Sequence, residues 1–264
     1  MNRVKRAKSR EIFIEGTESI KQALKAGLDI TRIITTRKKS DWAEGVIKQY
    51  EGKDKKPEIC RGEIKIIEMT DDLYNKLCDR SDPSEMLVTA RINPASLKDL
   101  KFQDKPFILV LDRISDTGNL GSIIRSADSF GVDAILLMGH AVDIWAPKTI
   151  RASMGSVLFN APVQSGSLEE FGDFIKSMRA IPGIEILGTD SLGSVSLSKK
   201  SLKRPLVLIL GNEARGMSLG LKELCDGIVG IPVSGNVNSL NLASAASIFM
   251  WEVFRNSISK ERIL

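Results

Sequence analysis

Three short segments beyond residue 105 have the composition of strands that never face water. FILVLD (107–112), AILLM (134–138) and LVLIL (206–210) are near-continuous apolar runs. That pattern belongs to a parallel sheet covered on both faces rather than to a strand with one wet side. Helical stretches alternate with them. In NLGSIIRSADSF (119–130), Leu120, Ile123, Ile124 and Ala127 share one face and Gly131 is the stop; a helix opens at Pro147 and ends near Gly155; another covers LEEFGDFIKSMRA (168–180). SVLFNAPV, IEILGTD (184–190) and GIVGIPV (227–233) continue the alternation, and a final helix runs from Leu240 to Arg255. The architecture expected is α/β, a parallel sheet with helices on both faces.

A chain of 264 residues favours two compact domains. Ahead of the sheet lies a second, smaller alternation: IFI (12–14), the helix TESIKQALKAG with Ile20, Ala23 and Leu24 on one face, and the strand ITRIITT (30–36). The helix WAEGVIKQY, the turn GKDKKP, the strand EIKIIEM (63–69), the short helix DDLYNKLC and the strand EMLVTARI (85–92) follow. The division expected is a basic arm over 1–10, a small α/β domain over 11–93, a linker over 94–105 and the large domain over 106–264. The arm carries Arg3, Lys5, Arg6, Lys8 and Arg10, equal to the whole net charge of +5. Such an arm suits sequence-independent phosphate contact, or it is a solvated terminus. No apolar run approaches the ~18 residues of a membrane span, and no signal-peptide core is present, so a cytoplasmic protein is expected.

Ligands of open α/β sheets collect beyond the carboxyl ends of the strands. Four loops there read SDTGNLGSIIR, GTDSLGS, GNEARGMS and SGNVNSLN, each dense in small and amide residues that expose backbone groups to a ligand. Neither a G-x-G-x-x-G nor a G-x-x-x-x-G-K-[ST] pattern occurs in them, which argues against a pyrophosphate held on a helix N-terminus. The single histidine, His140, reads as a loop residue, and Cys60, Cys78 and Cys225, with no C-x-x-C pair, read as small hydrophobes. No metal site is expected.

Three of these loops carry a family resemblance. N-x-G-x-x-x-R at Asn119, Gly121 and Arg125, then LILGNEARGM (208–217), then IPVSGNVNSLNLASAASI (231–248), stand in order and at compatible spacing. The stretch 107–255 resembles the SpoU (TrmH) family of RNA 2′-O-ribose methyltransferases, in the SPOUT superfamily. The N-terminal domain is similar to the small RNA-binding domain, of ribosomal-protein fold, that many such enzymes carry; its start around Arg10, Glu15 and Gly16 has Arg10 nearer than the usual spacing.

The resemblance implies a catalytic domain tied in a trefoil knot, S-adenosylmethionine as cofactor and RNA as partner, ribosomal RNA first and transfer RNA second. It places the cofactor among Thr189, Gly211, Ile231 and Leu240, with Asn212, Ser239 and Asn241 shaping the loops and Gly211 and Ile231 offering backbone groups. It makes Arg125 the central catalytic residue, with Asn119 and Glu213 beside it. A guanidinium is always protonated, so Arg125 reads as a phosphate grip and a stabiliser of charge on the 2′-oxygen rather than as a base. Proton removal is left to a phosphate oxygen, water or Glu213. The last helix, apolar almost all round, reads as buried on several sides, and the resemblance makes it a homodimer interface. A knotted methyltransferase acting on an RNA base and a non-catalytic RNA-binding protein are the alternatives.

Overall fold

The structure, a computed structural model, describes residues 6, 8–51, 64–78, 83–191, 193, 195–236 and 239–258. Arg3 and Lys5 of the expected basic arm, the expected turn at 52–57 and Cys60 lie outside the described residues. The chain divides into two compact units: one comprises 1–94 together with 143–159, the other 95–142 with 160–264.

The first unit is built on a four-stranded sheet, β1 (Glu11–Glu15), β2 (Asp29–Thr36), β3 (Lys65–Met69) and β4 (Met86–Arg91), in the order β1-β4-β2-β3. Strand β4 runs antiparallel to β1 and β2, while β2 and β3 are parallel. Helices α1 (Thr17–Lys25), α2 (Ser40–Glu51) and α3 (Asp71–Leu77) connect the strands. Ile20 and Ala23 of α1 are buried, and Gly27 ends that helix at φ 68°, a conformation that costs glycine nothing. The segment 143–159, which lies inside the stretch expected to form the large domain, packs here instead. Arg6 pairs with Asp143, Arg151 reaches the buried carboxylate of Glu15 at 3.4 Å, and Gly155, at φ 86°, comes so close to α1 that a Cβ would lie 2.7 Å from Gln22 Cβ.

The second unit carries a seven-stranded, wholly parallel sheet in the order β7-β6-β5-β10-β8-β11-β9. Its strands are β5 (Phe107–Asp112), β6 (Ala134–Met138), β7 (Val163–Gln164), β8 (Glu185–Thr189), β9 (Val195–Ser196), β10 (Leu206–Leu210) and β11 (Gly227–Gly230). Every residue of β5, β6 and β10 is buried, as their composition requires. The longer helices are α4 (Thr117–Ser129), α5 (Leu168–Met178) and α6 (Leu242–Ser257).

Four expectations are corrected. Strand β11 stops at Gly230, leaving Ile231 in irregular backbone, and SVLFNAPV supplies a 3-10 turn at Ser156–Leu158 and a two-residue strand. Helix α6 starts at Leu242 because the side chain of Asn241 caps it, accepting from the N–H groups of Ala243 and Ser244. That helix also keeps one face open: Ser244, Ile248, Trp251 and Arg255, at helical spacing, are exposed, while Ala243, Ala246, Phe249, Met250 and Val253 are buried.

Candidate active site

The carboxyl ends of β8, β10 and β11 open into a cavity of about 450 Å³. Thr189, Gly211, Asn212, Ile231, Ser239 and Leu240 all line it, six of the seven residues expected at the cofactor. The seventh, Asn241, stands behind it as the α6 cap. Leu240 is 42 % exposed, so it presents its side chain to the cavity rather than to the core. Glu213 also lines the cavity.

Local chemistry folds the 211–218 loop back on itself. Asn212 and Gly216 exchange backbone hydrogen bonds of 3.1 and 2.9 Å, and Asn212 Oδ1 accepts from the N–H groups of Ala214 and Arg215. At Gly211 a Cβ would stand 2.3–2.9 Å from the backbone of Gly216 and Met217. The end of β5 grips this hairpin. Asp112, buried, pairs bidentately with Arg113 at 2.9 Å and accepts from Ser218 N at 2.7 Å. Arg113, at φ 51°, donates to Gly216 O at 3.1 Å, and its own carbonyl accepts from Asn212 Nδ2 at 2.8 Å.

Three loops far apart in sequence meet in one hydrogen-bond chain. Asn119 Nδ2 donates to Glu213 Oε1 at 3.0 Å, and Asn241 Nδ2 donates to Asn119 Oδ1 at 3.0 Å. Glu213 Oε2 also accepts from Ser115 Oγ and Asn212 Nδ2, each at 3.3 Å. Asp116, the cap of α4, fixes Asn119 by accepting its N–H at 2.7 Å. Arg125 lies further along α4, exposed and outside this chain of bonds. Asp112 is committed to Arg113.

The sequence reading missed the Asp112–Arg113 clasp and Ser115, for which no pattern stood out. It also missed Leu242, Ala245 and Phe249, which line the cavity from one face of α6; their i, i+3, i+7 spacing was the available signal. Among the described residues no cluster of His, Cys, Asp and Glu is arranged to hold a metal ion, and no helix is long and apolar enough to cross a membrane.

A parallel sheet with a cavity of about 450 Å³ at the carboxyl ends of its strands, lined by residues of the 211–218 hairpin together with Thr189, Ile231 and Leu240, defines an α/β domain with a small-molecule site; the other unit carries a small mixed sheet. Comparison with known proteins makes this specific. Residues 106–251 match the SpoU rRNA Methylase family and residues 1–88 the SpoU L30e-like domain. The chain belongs to the SpoU rRNA methylase family. It is 30% identical over 262 residues to the 23S rRNA (uridine(2479)-2′-O)-methyltransferase of Streptomyces viridochromogenes, covering 98% of this chain and 87% of that one. It is 26% identical to the 23S rRNA (guanosine(2553)-2′-O)-methyltransferase RlmP of Bacillus subtilis, over 94% and 90% of the two chains. Among solved structures, the SpoU methyltransferase AviRb from S. viridochromogenes in complex with AdoMet superposes with a TM-score of 0.85 at 30% identity, covering 98% of this chain and 95% of that one. An rRNA methyltransferase from Sinorhizobium meliloti superposes with a TM-score of 0.79 at 28% identity, covering 98% and 92%.

Proposed function

We infer that this protein transfers a methyl group from S-adenosylmethionine to a ribose 2′-oxygen of ribosomal RNA. The observation that carries the reading is the hydrogen-bond chain Asn241–Asn119–Glu213, which joins the three family motifs at the mouth of the cavity. The likeness over nearly the whole chain to two 23S rRNA 2′-O-methyltransferases supports the acceptor atom and the RNA class.

The cavity fits the cofactor: its volume lies in the ~300–1,000 Å³ range of small-molecule sites, and its lining mixes apolar side chains with exposed backbone. Thr189, Gly211, Asn212, Ile231, Ser239 and Leu240 would hold it, with Gly211 and Ile231 contributing backbone groups. When bound, S-adenosylmethionine supplies a methyl group on a sulfonium, open to in-line displacement. The chain's own task is alignment and charge control. Asn119 and Asn241 orient the Glu213 carboxylate at the cavity mouth, where it is placed to accept a proton from the ribose hydroxyl directly or through water. Arg125, as a planar fork, grips a phosphate of the target and stabilises negative charge growing on the 2′-oxygen.

Residues 11–93, with the L30e-like match over most of their length, act in RNA selection, and 106–264 in chemistry. The open α6 face, with Ile248 and half-exposed Trp251 beside Phe130 and Phe254 at ring distances of 5.7–6.0 Å, supports a homodimer through that face. The knot and a cytoplasmic location belong to the same reading. To test it, purified protein is incubated with methyl-tritiated S-adenosylmethionine and unmodified 23S rRNA or tRNA transcripts. Label in the ribosomal transcript is expected; label confined to tRNA would move the substrate class, and label in neither would refute the assignment.

A further inference from the structure

At the tip of the hairpin that lines the cavity stands a cation that pairs with no carboxylate among the described residues. In this unit Arg113, Arg179, Arg204 and Arg255 each hold a carboxylate, of Asp112, Asp226, Asp133 and Glu252 respectively. Among the described residues Arg215 holds none. Its side chain is exposed, and the bond that engages it is made by its backbone N–H to Asn212 Oδ1, at 3.1 Å. Glu213, two residues away, is committed to Asn119, Asn212 and Ser115.

The hairpin is not free to carry Arg215 elsewhere, since the Asn212–Gly216 pairing and the Arg113 clasp fix both of its arms. Glu213, Ala214 and Gly216, the residues around it, all line the cavity, while Arg215 itself is not part of the lining, so the backbone that carries it stands at the cavity rim with its side chain in solvent. An exposed guanidinium that pairs with no carboxylate is open to an anion, and the anion an RNA substrate brings is its backbone phosphate.

We propose that Arg215 is a substrate-binding residue that grips an RNA phosphate at the mouth of the cofactor cavity, an inference that rests on the RNA-methyltransferase reading above. The contact is one of position rather than of sequence, because a phosphate carries no base identity. Arg215 and Arg125 then hold the RNA on two elements, the hairpin and α4, with Arg215 contributing affinity and Arg125 the placement of the target ribose.

The test compares the full-length wild type with Arg215→Gln and Arg215→Lys. Affinity for an unmodified 23S rRNA transcript is measured by filter binding across a potassium chloride series, alongside S-adenosylmethionine binding by calorimetry and the KM for RNA in methyl transfer. Arg215→Gln is expected to flatten the log–log salt slope by ~0.7–0.9, the share of one phosphate contact. Its KM for RNA should rise roughly tenfold, as expected for a lost charge-assisted hydrogen bond, with kcat and cofactor affinity within about twofold. Arg215→Lys should keep the slope. An unchanged slope in the Gln variant, or a loss of cofactor binding that accounts for the loss of RNA binding, would overturn the proposal. Wild-type binding without salt dependence would overturn the RNA reading beneath it.

Discussion

Gly211 sits where no side chain fits: a Cβ would collide with the backbone of Gly216 and Met217 rather than with a movable side chain. Gly211→Ala therefore has to displace the hairpin, at about 1–3 kcal/mol. If that cost falls on the bound state, cofactor affinity drops by roughly 5- to 150-fold; calorimetry on the variant checks it, and undiminished binding would remove Gly211 from the pocket. Arg125 tests chemistry rather than binding. Lys offers a point charge without the planar fork, so Arg125→Lys is expected to keep cofactor binding and lose rate equivalent to about 2.7–4 kcal/mol, the cost of one oxyanion donor. Cys225 is a control on inertness. Burial pushes its thiol to about 11, so at pH 8 almost none is thiolate. Iodoacetamide at pH 8 should leave Cys225 of the native protein unmodified in a mass spectrum, and modify it once the protein is unfolded. At this level the sequence was most legible where a residue's type is its function. The loops rich in Gly and Asn at the strand ends stood out by composition, while the individual roles of Gly211, Asn119 and Glu213 came from the family resemblance. The Asp112–Arg113 clasp was not legible, because an acidic and a basic neighbour at a strand end look like any surface pair until the hairpin closes over them.

Asn241 carries two duties on one side chain. Its Oδ1 caps α6, while its Nδ2 holds Asn119 in the chain that ends at Glu213. Substitutions separate the two. Asn241→Asp keeps an equally good cap but loses the donor to Asn119, so thermal stability should change little while methyl transfer falls; Asn241→Ala loses both, with a further ~1 kcal/mol of stability. Melting curves and rates measured side by side check this, and equal rates in Asp and wild type would detach Asn119 from Asn241 in function. The apolar strands were the most legible elements, since burial on both faces leaves no room for polar residues. Their ends were the least: GIVGIPV is apolar past Gly230, yet the ladder stops there and Ile231 turns to the cavity. The two-residue β9 has too few residues to show any period.

The unit boundaries were legible only in part, because the rule that neighbours in sequence pack together fails for 143–159. Arg151 and Asp143 find their partners, Glu15 and Arg6, more than 130 residues away, and no local pattern announces that. The consequence is testable. A fragment beginning at residue 95 removes those partners, so trypsin should cut it rapidly at Lys148 and Arg151, whereas the intact chain should resist there; equal cutting would show that the segment is not held. The account as a whole stands on the acceptor atom. After transfer of tritiated methyl groups to a 23S rRNA transcript, complete alkaline hydrolysis separates the possibilities, because a phosphodiester next to a methylated 2′-oxygen lacks the hydroxyl needed for cleavage. The account predicts that the label appears in alkali-stable dinucleotides. Label recovered in mononucleotides would place the methyl group on a base and contradict it.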